Sequence, residues 1–287
     1  MNGDITWGIL IALYLFTAGI SAGAAILASV FDIFQIGDSR VSKAGAYLAP
    51  FPVMLGLLCL VLDLSRPLKF YLVLLNYNLT SVMSWGVLFL LVFPPVAVIY
   101  AFLWYTEISP QIRKVFAWLS LILGIAVGGY TGLLLGAVSF SPVWSNPVIT
   151  VLFLVSAIST GVCGSMLVAK WPLGLDNSEL EQLTATDSVL IVVELLTLII
   201  LIITWALGPH AGQAMKAVVT GGYFLWFWLG VVMLGLLAPL FLGFWGLGYL
   251  GKTQSRIPMV GPILVLIGGF ILRFVIVYGG QISTFIS

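Results

Sequence analysis

The chain has 287 residues, 61% of them hydrophobic and only 7% charged, with a formal net charge of +1. Soluble domains carry about 25% charged residues, so a water-soluble globular fold is excluded and an integral membrane protein is predicted. The total charge says nothing about partners, and no nucleic-acid partner is expected.

Apolar runs of about 20 residues can cross a bilayer as helices. The first, Ile5–Phe34, is too long for the apolar part of a secretory signal and has only Asp4 before it, so it reads as a span and not a leader. It carries Tyr14, the stretch Phe16-Thr-Ala-Gly-Ile20-Ser21-Ala-Gly23, and Asp32 near its end. The second run, Ala44–Leu62, contains Cys59 and stops at Asp63-Leu-Ser-Arg66-Pro67-Leu-Lys69-Phe70. That cluster is either a helix-end cap at the membrane surface or the border of a site. Asn78-Leu-Thr80, a glycosylation sequon, is treated as a chance match. Val82–Tyr105 opens near Trp85 and contains Pro94-Pro95. Val115–Val138 holds Tyr130 within Gly128-Gly129-Tyr130-Thr131-Gly132, small neighbours that leave room for a ligand ring or a closely packed helix.

The fifth run, Val148–Trp171, holds Cys163 and the stretch Leu154-Val-Ser-Ala-Ile158-Ser159-Thr-Gly161, which echoes Phe16–Gly23. Two readings stay open for that echo: a repeat of two parallel four-helix units, or independent use of small residues for close packing. The longest loop, Pro172–Asp187, is polar, and Asp176, Glu179 and Glu181 in it read as a solvated face. Ser188–Leu207 carries Glu194; His210 follows in a loop; Gly221–Tyr249 and Ile257–Ile282 complete the set, the last with Gly268-Gly269 and Arg273. The long, continuously apolar runs argue for helices and against barrel strands. The predicted fold is therefore all-α, eight transmembrane helices in two four-helix bundles, residues 1–145 and 146–287.

Arg40, Lys43, Arg113, Lys114, Lys170, Lys252 and Arg256 fall on one side, and Arg66, Lys69 and Lys216 on the other. The positive-inside rule puts the first set in the cytoplasm and both termini, with the Asp63 cluster, outside. At the helical rise, Tyr14 and Tyr130 each lie about 12 Å below that outer end, level with Asp63 and Trp85. The plainer readings are an interfacial aromatic belt for the tyrosines and a weak helix-end ion pair for Asp63 and Arg66. Glu194 lies about 10 Å and Arg273 about 24 Å from the cytoplasmic end, which argues against direct contact. Ionisable groups inside spans mark function by default, and Glu194, Asp187 and Arg273 form a candidate proton route. Asp32 and Asp187 stand at cytoplasmic ends, where a surface role is the simpler reading.

The two cysteines read as small buried hydrophobes. One histidine in a loop cannot hold a membrane haem, no cysteine cluster offers an iron–sulfur or zinc site, and no phosphate loop is present. The chain therefore moves a solute or ion, or works beside a partner that carries the hard chemistry.

Leu13-Tyr-Leu-Phe-Thr-Ala-Gly19-Ile-Ser-Ala-Gly23, Leu62-Asp63-Leu-Ser-Arg66-Pro67-Leu-Lys-Phe70, Asn78-Leu-Thr-Ser81-Val-Met-Ser84-Trp85-Gly86, Tyr130-Thr-Gly132 and Leu272-Arg273-Phe-Val-Ile-Val-Tyr-Gly-Gly280-Gln281 occur in this order over almost the whole chain. In this it resembles the membrane subunits of the polysulfide reductase (NrfD-like) family. The resemblance implies two four-helix bundles, a menaquinone or ubiquinone site in the first, and a peripheral iron–sulfur subunit over it, often with a molybdopterin catalytic subunit beyond. Tyr130 falls where such subunits use a tyrosine at the quinone; Tyr14 falls where some carry a histidine. Asp63 would exchange protons at the aqueous rim, Arg66 would tune it or dock the partner, and Trp85 would line the site. The expected role is a haem-free, metal-free quinone-interacting anchor in the cytoplasmic (inner) membrane, in contact with lipid, with quinol oxidation as the default direction. The alternative is a proton-translocating module or secondary transporter without a redox role. Pro94-Pro95, Gly128-Gly129 and Gly268-Gly269 are available as the broken-helix points such transporters use.

Overall fold

The computed structural model describes residues 7–63, 81–107, 109–137, 141–208, 211–248 and 259–282. Arg66, the rest of the cluster after Asp63, the sequon, His210, Lys252 and Arg256 lie outside them. The described elements are helical: α1 Ile9–Phe34, α2 Ser39–Leu48, α3 Pro50–Asp63, α4 Val82–Thr106, α5 Pro110–Gly136, α6 Val148–Lys170, α7 Asn177–Leu207, α8 Ala211–Ala214, α9 Trp226–Leu237, α10 Ala238–Gly246 and α11 Val260–Ile282. Eight units are long and apolar enough to cross a membrane, with α2–α3 and α9–α10 each counting as one. The chain is a multi-pass integral membrane protein.

α1 is the hub. It packs on α2, α3, α5, α6 and α11. Of its most apolar window 72% is buried, against 33% for α4 and α7, so α1 is enclosed by protein while α4 and α7 face lipid with residues such as Leu91, Phe102, Val189 and Leu196. Its small residues explain this. Apolar burial gives no drive between helices in lipid, so close backbone approach through Gly, Ala and Ser must supply the packing. A Cβ on Gly161 would collide with the backbone of Gly23 and Ala24, and one on Gly23 would collide with the Ala157 carbonyl and, at 2.9 Å, with the Ile158 Cα.

The two similar stretches therefore meet each other. Gly23 faces Gly161 and Gly19 faces Ala157, residues at matching places in the two motifs. The correspondence extends further. Ser21 donates to the Ala49 carbonyl, where α2 gives way to α3, and Ser159 donates to Asp187 Oδ1 at 2.7 Å; in both, the acceptor lies 28 residues further along the chain. The close-packing reading of the two stretches is what the glycine contacts show.

Three expectations need correction. α7 begins at Asn177, not Ser188, because Asn177–Asp187 is helical and not loop. Glu179 is tied in, accepting the Asp38 amide at 3.1 Å, whereas Asp176 is solvated as expected, 71% exposed with a surface bond from Arg40. Pro94-Pro95, Gly128-Gly129 and Gly268-Gly269 all sit inside continuous helices. Gly268 is there to let α11 meet Gly235 of α9, and Gly269 leaves space for Thr160 and Arg273.

Candidate functional site

The first candidate site lies among α1, α3, α4 and α5. Tyr14 of α1 is 1% exposed and Tyr130 of α5 is 4% exposed, too buried for an interfacial belt. Both side chains belong to one buried cluster of the core. Glycines make the room. The Tyr130 ring and hydroxyl occupy the space a side chain on Gly86 of α4 would take, and a Cβ on Gly56 of α3 would meet Thr17 Oγ1 at 2.6 Å and the Tyr14 ring at 3.5 Å. The Tyr14 hydroxyl is buried with no hydrogen-bond partner among the described residues. A buried orphan hydroxyl costs about 1–3 kcal/mol, so it marks where a polar ligand atom would be favoured.

Asp63 closes α3 and is half-buried, with its carboxylate beside Gly8, the residue preceding α1. The positive end of the α1 dipole favours an acid there. From Gly8 to Tyr14 is about 9 Å at the helical rise, so Asp63 sits at the rim and not against the phenols. Trp85 departs from expectation. It is 42% exposed and leans on Phe89 at 6.1 Å, and its neighbour Gly86 is the residue that meets Tyr130. The structure thus brings Tyr14 and Tyr130 together, sets Asp63 at their edge and leaves Trp85 outside; Arg66 is not described.

A second polar cluster occupies the core of the other half. Cys163, Ser159 and Ser156 recur at four- and three-residue steps on one face of α6, and Asp187 and Glu194 stand seven apart on one face of α7. Asp187 is bonded by Ser159 and approached by the Cys163 thiol. Ser156 accepts from Arg273 Nη1 at 3.0 Å, and the buried Glu194 carboxyl lies close to it. Arg273 is 0% exposed. Its second bond from Nη1 goes to the Gly269 carbonyl at 2.8 Å, and the guanidinium lies between the Phe16 and Phe153 rings. Its Nε and Nη2 have no hydrogen-bond partner among the described residues. Among the described residues Glu194 and Arg273 make no direct bond, as expected; they nonetheless lie at similar depth, with Ser156 between them, because α7 starts at Asn177, earlier than its apolar run. Asp187, 7% exposed, is not a surface residue.

The sequence missed a third cluster. Asp32, read as a surface residue, is 2% exposed. Arg113 grips it with two bonds of 3.0 and 2.9 Å, the Tyr100 hydroxyl donates at 3.1 Å, and Trp104 lies under the guanidinium at 3.8 Å. The available signal was an acid at the end of one span and a base at the start of another, on one membrane level. Nearby, Lys43 pairs with Glu107 at 2.6 Å. That hydrogen bond holds the Glu107 carboxyl below its ordinary range, and bonds from Arg40 do the same for Asp38. Among the described residues, no group of three or more His, Cys, Asp or Glu is placed to hold a metal.

Comparison with known proteins adds the following. The family model described as polysulphide reductase, NrfD, matches residues 1–285. The sequence is 35% identical to a polysulfide reductase subunit of Wolinella succinogenes, over 96% of this chain and 95% of that protein. It is 32% identical to protein NrfD of Escherichia coli, over 98% and 96%. It is 24% identical to an Hdr-like menaquinol oxidoreductase integral membrane subunit of Archaeoglobus fulgidus, over 56% of this chain and 41% of that protein.

Proposed function

The chain belongs to the polysulphide reductase NrfD family, and on that premise we propose that it is the quinone-interacting membrane anchor of a multisubunit oxidoreductase. Relatives named as a polysulfide reductase subunit and as a menaquinol oxidoreductase membrane subunit support a place in such a complex. In this reading it lies in the cytoplasmic membrane, with both termini outside. A partner iron–sulfur subunit, with a molybdopterin catalytic subunit beyond, docks over Asp63 and the residues that follow it.

The observation that carries the reading is the orphan Tyr14 hydroxyl next to Tyr130, in space cleared by Gly56 and Gly86. Two phenol donors in an apolar enclosure suit the two carbonyl oxygens of a quinone ring. A bound quinone would supply two-electron, two-proton redox chemistry. Tyr14 and Tyr130 would hold and orient the ring, and the packed α1–α3–α5 core would keep water away. Asp63, at the rim beside the start of α1, would take up or give a proton toward the aqueous side. The unbroken course of α4, α5 and α11 through their Pro and Gly pairs weighs against the transporter alternative.

In the assembled complex, Tyr130→Phe removes one donor and should lower quinol-linked turnover by up to about 100-fold, the equivalent of a lost buried hydrogen bond. Asp63→Asn should slow turnover while quinone still co-purifies. Unchanged turnover in both variants, with the complex intact, would sink the assignment.

A further inference from the structure

The second polar cluster takes no part in quinone binding as proposed, yet it places two carboxylates and a guanidinium in the membrane interior. Such groups are costly there and are kept where they line a path or a cavity. Their arrangement has a direction. At one end, a cavity of about 20 Å³ is lined by Thr184, Asp187 and Ser188 of α7, Gly243 of α10, and Gly261 and Pro262 of α11, which is room for about one water. It lies in the first turn of α11 and the last turns of α10, on the membrane face that carries Lys170 and Asp176. Asp187 forms its floor. From Asp187 the polar atoms run inward as Ser159 and Cys163 on α6, then Ser156, then Glu194 on α7. The line stops at Arg273, packed against Gly19 of α1, where a Cβ would lie 2.9 Å from Nη2. Beyond Arg273 come the Phe16 and Phe153 rings and the apolar core.

We propose that α6, α7 and α11 form a one-sided proton inlet with its mouth at Asp187 and its blind end at the Glu194–Ser156–Arg273 junction. Asp187 and Glu194 carry the proton. Ser159 and Ser156 are positioning residues: Ser159 holds the Asp187 carboxyl toward α6, and Ser156 holds Arg273 there beside Glu194. Each transfer moves one proton from donor oxygen to acceptor oxygen, directly or through a hydroxyl or water that gives up one proton as it gains another, and no other bond changes. Because Arg273 reaches both Glu194, through Ser156, and α1, through Gly19, the blind end lies at the seam between the two halves. The inlet involves neither Tyr14 nor Tyr130, so it stands or falls separately from the quinone reading.

The test is hydrogen–deuterium exchange of carboxyl groups by infrared spectroscopy, on the full chain in lipid nanodiscs without added quinone. A protonated-carboxyl band lost in Glu194→Gln identifies the Glu194 group. That band should exchange promptly in the parent and at least about 100-fold more slowly in Asp187→Asn, the scale of a lost positioned proton donor. Ser159→Ala should slow it less, and Ser159→Thr should restore it, which a merely structural effect on packing would not do. Asp32→Asn should leave the rate unchanged. Three results would overturn the inlet: no carboxyl band assignable to Glu194, an exchange rate indifferent to both Asp187→Asn and Ser159→Ala, or equal slowing by Asp32→Asn.

Discussion

Asp32 in the first half and Asp187 in the second invite comparison. Both are buried acids near the same face of the membrane, and both looked like surface residues in the sequence. Asp32 is clamped by Arg113 through two bonds and by the Tyr100 hydroxyl. Asp187 has only neutral partners, a serine and a thiol, and borders a cavity. A carboxylate gripped by a guanidinium at two points serves as a structural tie. A carboxyl with neutral partners and a route to water is able to exchange a proton. The two similar stretches differ in what their serines meet: Ser159 meets the Asp187 carboxylate, Ser21 a backbone carbonyl.

The same carboxylate-to-amide change made at each site is the sharpest way to break this comparison. Asp32→Asn leaves a largely buried guanidinium without its anion, a loss of about 3–5 kcal/mol for buried pairs. About 3 kcal/mol is expected here, because the Arg113 side chain keeps 17% exposure. Asp187→Asn keeps an oxygen for Ser159 and strands no cation, so its cost should stay within about 1 kcal/mol. Unfolding titrations in mixed micelles measure both. Equal costs would mean that Asp187 is as firmly locked as Asp32.

Much of the fold could be read from the chain, because eight apolar runs and an all-helical membrane protein follow from the same requirement that backbone groups be satisfied in lipid. Tyr130 could also be noticed, as a phenol deep in a span between Gly128-Gly129 and Gly132, and Tyr14 as a second phenol at the same depth. What escaped depended on helix ends and on side-chain reach. The polar stretch Asn177–Asp187 continues α7 because apolarity marks where lipid begins, not where a helix begins. Asp32 escaped because Arg113 and Tyr100 come from two other helices, and nothing local in Phe31-Asp32-Ile33 announces them. Ser156 escaped because a serine among small residues signals packing; only the meeting of α6, α7 and α11 places it between Glu194 and Arg273.

The smallest expected effect concerns Lys43 and Glu107, an exposed pair beside the Asp32 tie. Their contact is short, at 2.6 Å, but the Glu107 side chain is 66% exposed, and exposed pairs contribute little. Its sign is still testable. The hydrogen bond from Lys43 holds the Glu107 carboxyl below its ordinary range, so its stabilisation is present above that range and fades as pH falls through the lowered value. Lys43→Ala should therefore be slightly less stable than the parent at neutral pH, and the difference should vanish in acid and in high salt, where the charges are screened. Thermal unfolding across a pH series resolves this. A difference that persists in acid would mean that Lys43 acts through its stem and its approach to the Trp104 ring at 5.8 Å, and so belongs to the packing around Asp32 and Arg113 instead of to a separate surface pair.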